Sequence, residues 1–195
     1  MLAEVPERQR LLFEFLAQTG LRISEALPLR KSDVDFGRRI LSVSRRLYEG
    51  ELDAPKSRHG VRRVSLSPEI TRRLWLRLAT LPEDALVFPG TEGGTLGRSY
   101  LYRVALAAGV RAGIEWPVGL HTFRHSCASI MFRRGVPKEA IRKSLGHHSW
   151  DFTSSVYVHL GDEDLPDGSL LGDLTGSHAV APIGDADLEA TAKAR

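Results

Sequence analysis

A mainly α fold with one small antiparallel sheet (α+β) is what the sequence predicts for these 195 residues. Three observations predict it. Most of the chain places apolar residues at helical spacing, in stretches that begin on proline or a capping side chain and end on glycine. Two β-branched, alternating runs, around 39–47 and 61–66, interrupt that period. A polar connection carrying basic residues joins the two runs, as a small antiparallel sheet requires.

The elements follow in order. "PERQRLLFEFLAQTG" is a helix with Pro6 in its first turn and Gly20 at its end, and "RISEALPL" is a short second helix. The two strands come next. Ser67-Pro68 starts the helix "PEITRRLWLRLATL". "LVFPGTEGGTLGR" is a glycine-rich loop before the helix "SYLYRVALAAGVRAGI". A helix begins near Thr122 and runs through "FRHSCASIMFRR" to Gly135, with Phe123, Cys127, Ile130 and Met131 expected in the core. Pro137 opens "PKEAIRKSL", which Gly146 closes, and "FTSSVYVHL" is a last short helix. After Gly161 the periodicity is lost. The expected division is a domain over 1–160 and an acidic tail over 161–195, partly docked or disordered.

Charge sharpens that division. Residues 1–160 hold 25 Lys/Arg against 16 Asp/Glu, a balance of +9, while 161–195 hold two against eight, a balance of −6. A basic, arginine-rich body suits a polyanionic partner, because the guanidinium fork makes bidentate contacts with phosphate. The plain alternative is a solvated arginine-rich surface. The single cysteine, Cys127, cannot form an internal disulfide. No signal peptide or membrane-spanning run is visible, so a soluble cytoplasmic protein is expected.

Several residues carry possible chemistry at element edges. They are Arg22 with Glu25 in "TGLRISEAL", Lys56 in "APKSRHG", His121 and Arg124 in "GLHTFRHSCAS", His147 after "LG", and Tyr157 in "SSVYVHL". Each has a structural explanation on its own. Arg22 and Glu25 could be an exposed ion pair of little worth. Lys56 could be one more loop lysine, His147 or His148 a helix-end residue, and Tyr157 a core tyrosine. His121 and His125 share a helix face, as zinc ligands would, but Thr122 stands where the zinc-protease pattern needs glutamate. Arg124 between them would also oppose a second cation. A phosphate explains the grouping better than a metal does.

Taken together, the order Arg, Lys, His-x-x-Arg, His, Tyr resembles the catalytic domain of the tyrosine recombinases, the phage-type integrases in particular. The segments are "TGLRISEALPLRKSDVD", "APKSRHGVRRVSL", "LHTFRHSCASIMFRRGV", "IRKSLGHHS" and "FTSSVYVHL". The resemblance implies that family's catalytic-domain fold and site-specific DNA cleavage and rejoining through a 3′-phosphotyrosine. It implies Arg22 and Arg124 as a phosphate clamp, Tyr157 as nucleophile, and Lys56 as general acid. His121 and His147 would donate to the phosphate or move protons, and Glu25 would orient Arg22. The gap from His147 to Tyr157 is one residue longer than the commonest spacing; His147 is assigned because it follows Leu145-Gly146 directly. No metal and no cofactor are expected, since arginines can supply the electrostatic stabilisation and one phosphoester replaces another.

The expected partner is double-stranded DNA, with a tetramer on DNA by resemblance. The chain starts at what would be the catalytic domain's first helix, so an N-terminal DNA-clamping domain is expected to be absent. The rivals are a non-enzymatic helix-turn-helix DNA binder built on "SIMFRRGVPKEAIRKSLGHHS", an inactive recombinase remnant, and a type IB topoisomerase.

Overall fold

The structure is a computed structural model that describes residues 1–48, 50–53, 61–91 and 93–146. All of these belong to one compact unit. The expected last helix and acidic tail, with Lys56, His147, His148 and Tyr157, lie outside the described residues.

Six α-helices frame the described chain: α1 (Glu7–Thr19), α2 (Ile23–Ala26), α3 (Pro68–Leu78), α4 (Arg98–Arg111), α5 (Leu120–Arg133) and α6 (Lys138–Leu145). Their ends obey the local chemistry. Gly20 and Gly146 take left-handed φ values of 63° and 67° and close α1 and α6. Ser67 caps α3 by accepting the Ile70 amide, with Pro68 just inside. At the start of α5 the Thr122 hydroxyl accepts the Gly119 amide at 3.1 Å. The threonine that stands in place of a zinc-protease glutamate is therefore a helix-start residue.

Among the described residues the β structure departs from expectation in one respect: there are two sheets. β1 (Val34–Asp35), β2 (Ile40–Val43) and β5 (Arg62–Ser65) form an antiparallel sheet in the order β1-β2-β5. β3 (Arg46–Tyr48) and β4 (Glu51–Asp53) form a separate antiparallel pair. The first alternating run breaks at Ser44 and Arg45, because the Arg45 side chain turns back to donate to the Pro28 carbonyl and to Asp33. Alternation continues through the break, but pairing does not. In the larger sheet Leu41 stands opposite Val64 and Val43 opposite Arg62.

The core gathers Leu12, Phe13, Phe15 and Leu16 of α1 against Ile70 and Leu74 of α3, Leu101 of α4, and Leu41 and Val64 of the sheet. Phe13 packs on Phe123 of α5 with ring centroids 5.2 Å apart. A smaller cluster joins Cys127 and Ala128 of α5 to Ile141 and Leu145 of α6, with Met131 partly buried against it. Phe123 and Cys127 are thus core, as expected. Ile130 is not; it is 48% exposed, since it lies roughly 90° round the helix from the middle of the buried stripe.

Gly20 is the tightest junction between these parts. A Cβ there would come within 2.3 Å of Leu145 Cδ2 and 3.2 Å of Cys127 Sγ. Left-handed backbone and steric room both demand glycine. Gly20→Ala should destabilise the fold by about 2–4 kcal/mol and lower Tm by about 5–15 °C in a melting experiment. An unchanged Tm would show that α1 and α6 do not meet at this residue.

Candidate active site

Arg124 forms the floor of the site. It is 3% exposed, and its Nη1 donates to the Gly20 carbonyl at 2.6 Å while Nη2 donates to the Leu145 carbonyl at 2.5 Å. These carbonyls sit at the C-termini of α1 and α6, where helix dipoles favour a cation. Burial first, then the neighbouring Arg22 and Arg62 charges, push the Arg124 guanidinium down to about 9, which leaves it cationic at neutral pH.

Glu25 is the counterpart. It is 5% exposed, so it is not the surface ion pair that its spacing from Arg22 would permit. Its carboxylate accepts the Arg22 amide at 2.8 Å, Arg22 Nη1 at 3.2 Å, and both terminal nitrogens of Arg62 at 3.1 and 2.9 Å. Burial alone would raise the Glu25 carboxyl. The hydrogen bonds and charge of Arg62, with the Arg22 amide and guanidinium, outweigh it and hold the group below its ordinary 4.5.

Arg62 is the residue that motif reading passes over. It is a β5 residue whose Nε also donates to the Ser144 carbonyl of α6 at 2.7 Å. A signal for it exists: Arg62 shares a strand face with Val64 and Leu66, both buried, so a cation stands where alternation calls for an apolar residue.

Arg22 differs from the other two arginines. Its side chain is 37% exposed, and among the described residues its only partner is Glu25. One edge of the fork is fixed, and among the described residues nothing else holds the rest. His121 and His125 lie on α5 beside it and line a groove with the first turns of α4. Partial burial, then His125 and the Arg124, Arg22 and Arg98 charges, depress His121 below its ordinary 6.5, so it is neutral at pH 7. Burial and Arg124 depress His125 likewise. Among the described residues no group of three His, Cys, Asp or Glu side chains could hold a metal ion.

Of the sequence candidates, the structure brings Arg22, Glu25, His121 and Arg124 together and adds Arg62. The described chain ends at Gly146, directly after the Leu145 carbonyl on Arg124.

With this geometry in view, the comparisons with known proteins agree. Residues 2–164 match the Phage integrase family. Tyrosine recombinase XerD of Bifidobacterium longum is 29% identical over 163 residues, covering 81% of this chain and 51% of that protein. Among solved structures, the Tn1549 transposon integrase in complex with transposon right end DNA superposes with a TM-score of 0.68 at 22% identity, over 84% of this chain and 60% of that one. The catalytic domain of bacteriophage HP1 integrase gives a TM-score of 0.57 at 21% identity, over 94% and 92%. These two structures share the fold: helices around small antiparallel sheets, as in tyrosine recombinase catalytic domains. The chain belongs to the Phage integrase family. It spans about half the length of the curated relatives it matches.

Two consequences can be measured. Arg124→Ala leaves two helix-end carbonyls without their donor, and hydrogen bonds to charged groups are worth about 1.5–3 kcal/mol each. Denaturant unfolding should show a loss of about 3 kcal/mol or more, whereas an unperturbed midpoint would mean that the carbonyls find another partner. For Glu25, the folded group binds its proton more weakly than the unfolded one. Its stabilisation is therefore full above about pH 4.5 and is lost as pH falls through the depressed folded value. Glu25→Gln should flatten the acid limb of a stability–pH curve. A limb of unchanged steepness would assign acid unfolding to other carboxylates.

Proposed function

We propose that this chain is the strand-cleaving part of a site-specific DNA recombinase, working through a 3′-phosphotyrosine on Tyr157. The observation that carries the reading is the half-open Arg22 fork, held by buried Glu25 beside the buried Arg124 charge and a neutral His121. In-line attack on a phosphodiester builds negative charge on the non-bridging oxygens. Preorganised donors aimed at that charge are worth about 3–4 kcal/mol each in a dry site. Arg22 and Arg124 are those donors, and Glu25 with Arg62 fixes the angle of Arg22.

Tyr157 Oη attacks phosphorus and the bond to the 5′-oxygen breaks. The tyrosine proton passes to the neutral imidazole of His121 or to His147, and Lys56 protonates the leaving 5′-oxygen. Both latter residues lie close in sequence to anchored chain. His147 comes two residues after Leu145, and Lys56 comes six residues before Arg62. The products are a phosphotyrosine and a free 5′-hydroxyl. Attack by a 5′-hydroxyl on the phosphotyrosine reverses the step and rejoins the strand, with no nucleotide cofactor consumed.

The substrate is double-stranded DNA, met in the cytoplasm, and four copies assemble on it. Residues 1–160 form the breaking and rejoining domain, which the family match to residue 164 supports, and 161–195 form an acidic tail. A helix-turn-helix regulator would account for α5, Gly135 and α6. It gives no reason for the buried Glu25–Arg62 pair beside Arg124, and the family match does not favour it.

Nicked DNA from the flanks of the source element, mixed with the protein in EDTA, should yield a covalent protein–DNA adduct on a denaturing gel. Tyr157→Phe should form none while binding the same DNA with nearly unchanged affinity. An adduct that survives the substitution would displace Tyr157 as the nucleophile. One that disappears in EDTA would show that a metal takes part.

A further inference from the structure

We infer that Arg62 is a positioning residue for strand cleavage that serves two sides of the site at once: it aims the Arg22 fork through Glu25, and it seats the end of α6, from which the chain runs on to His147. The inference rests on the reading of this domain as DNA-cleaving. It goes beyond that reading in making the phosphate clamp depend on the docking of α6.

Three acceptors define the place of Arg62. Its Nη1 and Nη2 donate to the two Glu25 oxygens at 3.1 and 2.9 Å, and its Nε donates to the Ser144 carbonyl at 2.7 Å. Glu25 passes that hold on to Arg22, whose amide and Nη1 it accepts at 2.8 and 3.2 Å. Ser144 stands three residues before His147, and Arg62 itself stands six residues after Lys56. One guanidinium thus touches the anchor of Arg22 and the helix end that leads to His147.

The helix needs such a hold. α6 has eight residues, and its buried Ile141 and Leu145 belong to a small apolar cluster with Cys127 and Ala128, separate from the main core. A groove of about 800 Å³ runs between β5 and α6, with Arg63 and Ser65 on one wall and Ala140 and Lys143 on the other. Arg62 and Ser144 line it too, and their hydrogen bond joins the two walls. Arg62 and Arg124 meet the carbonyls of two successive α6 residues, Ser144 and Leu145. Both arginines belong to the site, so the seat of α6 and the aim of the clamp rest on the same groups.

Stability alone does not account for an arginine here. The Arg62 side chain is 5% exposed, on a strand face it shares with buried Val64 and Leu66. A charge so placed loses its hydration, and well-packed apolar residues in place of a buried ion pair are often as stable or more so. An apolar residue, however, cannot hold a carboxylate and a carbonyl in fixed relation. Lysine cannot either. Its ammonium is one point on a flexible stem, whereas the planar guanidinium presents one edge to Glu25 and another to Ser144.

The test uses the full chain and nicked duplex DNA from the element's flanks. Arg62→Lys should stay folded and bind the DNA with wild-type affinity. At saturating DNA its covalent adduct should form about 100-fold more slowly, the scale expected when a reacting geometry shifts by about 1 Å. In hydrogen exchange the last-turn amides of α6 should exchange about 10-fold faster, while those of α1 and α3 keep their protection. A wild-type rate of adduct formation would overturn the assignment. A loss confined to affinity would also overturn it, by making Arg62 a DNA ligand. Slowed cleavage with α6 exchange unchanged would do the same, because Arg62 would then act on Glu25 alone. Protection lost across α1 and α3 as well would assign the effect to global stability, again against the inference. If Arg62→Lys does not fold, Arg62→Gln, which keeps an N–H donor without the charge, is read by the same measurements. Failure of both to fold would make Arg62 a structural residue and overturn the assignment. A wild-type protein that forms no adduct would sink the cleavage reading itself, and exchange at α6 in Arg62→Lys would still show whether Arg62 seats that helix.

Discussion

One guanidinium holds the site and the fold together. Arg124 reaches from α5 to the ends of two other helices and satisfies a carbonyl on each, Gly20 at the end of α1 and Leu145 at the end of α6. Helix ends expose carbonyls that need donors, and a buried end needs them from the protein itself. A lysine could meet one such carbonyl as a point charge. The planar fork of arginine meets both at once. The charge that a phosphate would seek is therefore also what fixes the meeting of three helices.

Glu25 and Arg62 extend this logic to the sheet. Arg62 takes the Ser144 carbonyl with one nitrogen and the Glu25 carboxylate with two others, so β5, α2 and the end of α6 share one polar junction. Buried ion pairs contribute little net stability when compared with apolar packing, but breaking one is costly. What this pair secures is direction. Glu25 receives both the amide and the guanidinium of Arg22, and so the one exposed fork of the group leaves the surface at a set angle.

Much of this was legible from local chemistry. Gly20, Gly146 and the Ser67-Pro68 pair end or begin helices where backbone preference requires it, and the helical period of α1 and α3 is clear. The site candidates among the described residues, Arg22, Glu25, His121 and Arg124, do converge. Three things were hidden for physical reasons. The break between β2 and β3 depends on the side chain of Arg45 reaching Pro28 and Asp33, contacts across 17 and 12 residues that no local pattern encodes. The depth of Glu25 depends on Arg62, 37 residues away. Ile130 carries an apolar side chain to a position that the packing angle of α5 leaves outside the core. Arg62 itself was legible in principle, as a charge in a row of apolar strand positions.

On the proposed function, the double duty of Arg124 bears on how a gene of this kind would decay once cleavage is no longer selected. Among the described residues the Arg22 side chain has Glu25 alone as its partner, so drift can remove it at small cost to folding. Arg124 cannot be lost without loosening three helices, and selection for a soluble protein alone would preserve it. An intact Arg124 in a silent copy would therefore record a fold still under selection. On that same proposal, the state of Arg22 would record whether the copy still cuts.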